Sequence, residues 1–255
     1  LSSKSQTGAA TIIIGGLGFM GLFDLLHYHK SKKLRLHSRV VLLSTACLLF
    51  IGTLGFAALE WHNPATMGNL PVWQKLNAAF FQSVSTRTAG FNSIDIASMN
   101  EISKVLSIGL MFIGAAPGST GGGIKTTTFF TLLVGIRSAA TNRSEKAFRY
   151  SLPKEAFRKA AVISLIGLLV VLVGTLLFML AEPTVPLVDA LFEVVSAFGT
   201  VGLSTGITPT LGLPAKLLSI LLMHIGRLGP LTVATLWYFS HGERVRFPEG
   251  DLAIG

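Results

Sequence analysis

A polar run of small residues, Gly114-Ala115-Ala116-Pro117-Gly118-Ser119-Thr120-Gly121-Gly122-Gly123-Ile124-Lys125-Thr126-Thr127-Thr128, interrupts what would otherwise be one long apolar segment. Apolar residues 105–113 precede it and 129–136 follow it. Residues 101–137 together are much longer than the roughly 20 residues one span needs. Bare backbone at membrane depth survives only inside protein or along a water-filled path, so the run is expected to be a pore or cavity element. Two half-helices joined by a disordered-looking hinge account for the surplus length.

Composition points the same way. Apolar residues make up 50% of the chain and charged residues 13%, and the mean hydropathy is +0.62. These values indicate an all-α polytopic membrane protein rather than a soluble domain. The net charge of +9 is concentrated in segments 27–39, 137–159 and 241–249, which lie between apolar stretches. Such clustering is the orientation signal of membrane insertion, so all three are placed on the cytoplasmic side, the C-terminus included. No nucleic-acid partner is needed to explain the charge. The single Cys47 excludes an intramolecular disulfide and is expected to be a small core residue. Asn142-Arg143-Ser144 fits a glycosylation sequon but falls in a loop assigned to the cytoplasm, so it is discounted. The chain starts at Leu1 without an initiator Met or a signal-peptide pattern, and is expected to lack its beginning.

The apolar segments recur in a fixed order. Spans are expected over 8–26, 40–59, 160–181 and 217–239, besides the broken one. Segments 73–84 and 188–198 are too short to cross, as re-entrant helices are. Interfacial Trp61 and a turn follow the second span. Gly90 and Gly202 lie 112 residues apart, as do Gly114 and Gly226. Ile14-Gly15-Gly16-Leu17-Gly18-Phe19 also reads like Ile225-Gly226-Arg227-Leu228-Gly229-Pro230. The repeat therefore divides the chain into the end of an earlier unit (1–36), two complete units (37–150 and 151–240) and a tail (241–255). Packing glycines alone explain neither the common offset nor the two short segments.

A re-entrant helix followed by a Thr-X-Gly turn can aim backbone carbonyls at an axis, where they replace the water around a dehydrated alkali cation. Glycine permits the backbone angles required. One turn supplies one side of such a ring, so several units must gather round it.

Three motifs make the pattern specific: Ser85-Thr86-Arg87-Thr88-Ala89-Gly90-Phe91-Asn92, Gly118-Ser119-Thr120-Gly121-Gly122-Gly123-Ile124-Lys125-Thr126, and Ala197-Phe198-Gly199-Thr200-Val201-Gly202-Leu203-Ser204. Through them the sequence resembles the pore-forming membrane subunits of the Trk/Ktr/HKT potassium transporters, the Ktr type most closely. That resemblance implies span, pore-helix, span units around a pseudo-fourfold pore, with the first unit and the second filter turn absent here. It implies a potassium filter of Thr88, Ala89, Gly90, Thr200, Val201 and Gly202, potassium being held through filter carbonyls only. It implies a gate formed by Ala116, Pro117, Gly118, Ser119, Thr120, Gly121, Gly122, Gly123 and Lys125, with Arg227 as the cation of the last span. Potassium is then the substrate and sodium a candidate activator, with no cofactor in this chain. A homodimer in the plasma (inner) membrane, seated on a cytosolic nucleotide-binding ring, is also implied.

Other functions fit less well. A phosphate loop needs Gly immediately before Lys, and Ile124 intervenes before Lys125. Asp189 and Glu193 share a helix face, where they either concentrate cations, face solvent or bond the neighbouring turn. Arg87 reads as a brace, and His27, His29 and His224 lack metal-ligand spacing. Only Arg227 and Lys125 read as buried charges, neither paired with a carboxylate, so an intramembrane enzyme is not expected. The alternative is a secondary transporter of another small solute built on broken helices, although such folds usually carry inverted repeats. The basic loop 143–159 is either a docking surface for a soluble partner or a topology signal.

Overall fold

Gly- and Pro-marked breaks divide the apolar runs into nine helices among the residues described by the computed structural model, namely 3–142, 146–148, 150–229 and 232. Helices α1 (Ser3–Gly16) and α2 (Gly18–Ser31) meet at 106°. The continuous span expected over 8–26 is therefore broken. The cause lies at Leu17 and Gly18, where Gly18 adopts a φ of +71° and the backbone groups freed by the break bond elsewhere. Gly16 O accepts from Ala116 N at 3.0 Å and Phe19 N donates to Gly118 O at 3.3 Å.

Helix α3 (Leu36–Glu60) has 25 residues, about 37 Å at 1.5 Å per residue, enough to cross a bilayer core. After a turn, α4 (Val72–Ser85) has 14 residues, about 21 Å. The interrupted segment forms α5 (Glu101–Phe112) and α6 (Thr126–Thr141). A two-residue hairpin, β1 (Lys146–Ala147) with β2 (Tyr150–Ser151), leads to α7 (Lys154–Ala181). Short α8 (Leu187–Gly199) and α9 (Leu213–Leu228) complete the described helices. Among the described residues, α3 and most of α7 are long and apolar enough to cross a membrane, with the bent α1–α2 pair a third candidate. Residues 230–231 and 233–239 of the expected last span, the tail 241–255, and Arg143 and Ser144 of the sequon lie outside the described residues.

The core forms where the short helices pack among the long ones. Phe56 of α3, Met111 of α5, Phe178 of α7 and Phe192 and Phe198 of α8 are fully buried together. Helix α7 instead leaves Leu165, Leu168, Leu172 and Leu176 exposed at helical spacing, the stripe a lipid-facing helix presents. Cys47 is exposed rather than buried in the core. It falls in a similar stripe on α3, with exposed Leu43, Phe50 and Leu54 at spacings of three and four residues.

Candidate ion pathway

Both short helices end in the same backbone device. Beyond α4, Thr88 and Gly90 have φ of +68° and +73°; beyond α8, Thr200 and Gly202 have +51° and +88°. Glycine adopts such angles readily, whereas β-branched threonine does so only when its surroundings impose them. A serine in the last turn of each helix staples the turn. Ser85 Oγ donates to Phe91 O at 2.5 Å and Ser196 Oγ to Leu203 O at 2.6 Å. The sequence reading misses this pair as functional because the serines are 111 residues apart, one off the glycine register.

The two turns face each other. A Cβ on Gly90 would lie 2.7 Å from Val201 O, closer than a side chain can approach, and a tight 3.2 Å from Gly202 Cα. Thr88, Ala89 and Gly90 are half-buried, Val201 is buried and Gly202 is exposed. An open cavity of about 310 Å³ reaches Thr88 and Ala89 past Arg87, Gly16 and Thr120.

The loop between α5 and α6 is ordered, contrary to the disordered-looking hinge expected. Gly114 N donates to Ile124 O at 2.8 Å and Ile124 N to Phe112 O at 3.2 Å, closing its neck. Ser119 bonds back to Ala116, and Pro117 and Gly118 form the far tip beside the α1–α2 break. At the other side Gly123 N donates to Gly226 O at 3.2 Å. The loop is thus held between the α1–α2 break at Gly18 and the end of α9 at Gly229, two glycines that the sequence pairs and that both have positive φ.

It also sits against both turns. Gly122 N donates to Thr200 Oγ1 at 2.9 Å, and a Cβ on Gly121 would lie 2.8 Å from Thr88 Oγ1. Arg227 donates through Nη1 to Thr120 O, and Lys125 Nζ donates to Gly121 O at 2.5 Å. Consecutive loop carbonyls therefore carry two cations. Arg227 is exposed and Lys125 half-buried, so these two are not the buried charges of the chain. Among the described residues Asp24, Glu60, Lys75, Arg87, Lys104 and Glu193 are buried instead. Arg87 donates to Gly114 O at 3.4 Å, tying the first turn to the loop neck as a brace does.

The acidic pair on α8 has separate tasks. Asp189 accepts from Lys104 Nζ at 3.0 Å, joining α8 to α5. Glu193 accepts from Ser204 Oγ at 2.5 Å, Thr205 N at 3.0 Å and Thr208 Oγ1 at 3.1 Å, fixing the chain beyond the second turn. Of the readings left open, the bond to the neighbouring turn holds for Glu193.

Helices broken around irregular backbone are a build of membrane transport proteins. Residues 6–243 match the family model TrkH, described as "Cation transport protein", so the chain belongs to that family. Among individual proteins, it is 39% identical to Ktr system potassium uptake protein B of Bacillus subtilis, covering 95% of this chain and 55% of the relative. Potassium/sodium uptake protein NtpJ of Enterococcus hirae is 38% identical, over 97% of this chain and 56% of that protein. The chain therefore spans about half the length of the curated relatives it matches. The crystal structure of the potassium transporter TrkH from Vibrio parahaemolyticus matches with a TM-score of 0.71 at 20% identity, covering 91% of this chain and 51% of that one. At that identity the likeness concerns the fold.

Proposed function

We propose that the chain supplies part of a potassium-uptake pore, in which Thr88-Ala89-Gly90 and Thr200-Val201-Gly202 are two sides of one carbonyl filter. The observation that carries this reading is the face-to-face approach of two turns with matched backbone angles. Carbonyls held at fixed positions replace a cation's hydration shell without reorganising, and the serine staples supply that fixity. Potassium is the substrate because the relatives named above are potassium uptake proteins. Sodium, present in the name of the Enterococcus relative, is the candidate activator.

In this proposal the loop from Ala116 to Lys125 is the gate. Arg227 and Lys125 bring fixed positive charge beside the turns, raising the barrier to a cation. Opening must break the Arg227–Thr120, Gly123–Gly226 and Gly122–Thr200 hydrogen bonds. At about 1 kcal/mol net for each neutral bond and roughly twice that for the charged one, the closed state is held by a few kcal/mol. A regulatory partner can supply that much. A homodimer in the plasma membrane, with the basic loop 143–159 and the tail facing a cytosolic nucleotide-binding ring, completes the proposal.

The test is potassium uptake in cells lacking their own uptake systems, with and without deletion of residues 118–123 at matched membrane expression. Uptake by the parent and a higher flux after deletion are expected. Failure of the parent to carry potassium contradicts the pore assignment, and an unchanged or lower flux in well-folded deletion protein contradicts the gate.

A further inference from the structure

A cavity of about 390 Å³ lies away from the turns, where the end of α2, the 32–35 linker and β2 meet. Lys33, Arg35, His27 and Tyr150 form its polar wall, and Phe23 and Leu34 its apolar one. Among the described lining residues the carboxylate of Asp24 is already engaged. It accepts from Ser38 Oγ at 2.6 Å and Arg35 N at 3.4 Å, and pairs with Arg35 Nε at 3.6 Å. These bonds pin the linker against α2. Lys32, with a left-handed φ of 47°, donates to Tyr28 O and turns the chain just before Lys33. The Arg35 side chain is still 74% exposed, so guanidinium donors other than Nε remain for a ligand.

The setting is that of a membrane surface. Helix α2 leaves α1 at 106°, so an α1 running along the bilayer normal places α2 near the membrane plane. Phe19, Phe23 and Leu26 are exposed on α2 at spacings of four and three residues. An apolar face ending in basic residues is the arrangement of an interfacial helix, and basic pockets beside membrane helices suit anionic headgroups.

We propose that this cavity binds the phosphate of an anionic phospholipid. Lys33 and Arg35 take the phosphate, the Tyr150 hydroxyl donates to it, and the acyl chains run along Phe23 and Leu26. Such a lipid links the hairpin after α6 to the linker after α2. Helix α6 begins directly after Lys125, and α2 begins at the break that holds Gly118, so the occupied site restrains the loop through both neighbours. The lipid site does not depend on the pore assignment.

The test titrates the protein, as its gene encodes it and delipidated in detergent, with short-chain phosphatidylglycerol, phosphatidylcholine and inorganic phosphate. Thermal midpoint and lipid retention in native mass spectrometry are the readouts. Phosphatidylglycerol is expected to raise the midpoint and be retained; phosphatidylcholine, whose choline cation offsets its phosphate and is repelled by the basic wall, and phosphate, which lacks acyl chains, should have little effect. Lys33→Gln should weaken phosphatidylglycerol about fivefold, the contribution of one cation near an anionic surface, and Lys33→Arg should preserve it. Tyr150→Phe, at an exposed position, should also weaken binding and serves if Lys33→Gln lowers the unliganded midpoint. Equal responses to the two lipids, or an unaltered response in both variants, overturn the site. A shift reproduced by phosphate alone overturns its assignment to a lipid.

Discussion

Thr88 and Thr200 sit in left-handed backbone regions at one register of the repeat, a conformation that costs an L-residue about 1–2 kcal/mol. Strain of this kind persists where neighbouring contacts over-determine it. Here those contacts are the serine staples and, for Thr200, the bond from Gly122. Thr200→Ala removes the acceptor of that bond and leaves a buried amide unpaired, at about 1–3 kcal/mol. Resting potassium flux is expected to rise, with a fall of a few degrees in melting midpoint. An unchanged flux would separate the loop from the turn. Ser85→Ala and Ser196→Ala each free the carbonyl beyond the turn, and should lower potassium-over-sodium preference in competitive uptake. The turn glycines are legible from their spacing because their backbone angles admit few other residues. The staples are not, since a serine hydroxyl can reach its carbonyl from either of two neighbouring helical positions.

At the scale of elements, α8 is held by a partly buried ion pair as well as by its aromatic core. Lys104 Nζ reaches Asp189 at 3.0 Å and Glu101 at 3.2 Å, and the Lys104 side chain is 7% exposed. Asp189→Asn leaves that ammonium with Glu101 as its carboxylate partner and should lower stability by roughly 2 kcal/mol, the scale of one hydrogen bond between charged groups. The double change Lys104→Met with Asp189→Leu should recover most of the loss. Thermal unfolding in detergent checks both, and additive losses would show that the pair is not coupled. The short helices and the broken span are readable from length alone, because a segment of 13 or 14 residues cannot cross a hydrocarbon core of about 30 Å. The break at Gly18 is harder to read. Apolar residues continue on both sides of it, and the groups that replace the lost helical bonds come from a loop about a hundred residues away. For the same reason the loop looks disordered in sequence and is ordered in the fold.

The described molecule presents two matched turns with one loop packed against both, and the chain belongs to the cation transport protein family. The exposed apolar stripes of α3 and α7 follow from a lipid environment, which is also why Cys47 lies outside the core. Hydropathy marks the spans but does not say which helix face meets lipid. The most direct measurement is potassium and sodium uptake by Gly90→Ser and Gly202→Ser, each at matched membrane expression in potassium-uptake-deficient cells. Loss of potassium affinity or of potassium-over-sodium preference in both variants is expected if the two turns form one filter. Uptake indifferent to both substitutions would contradict that claim.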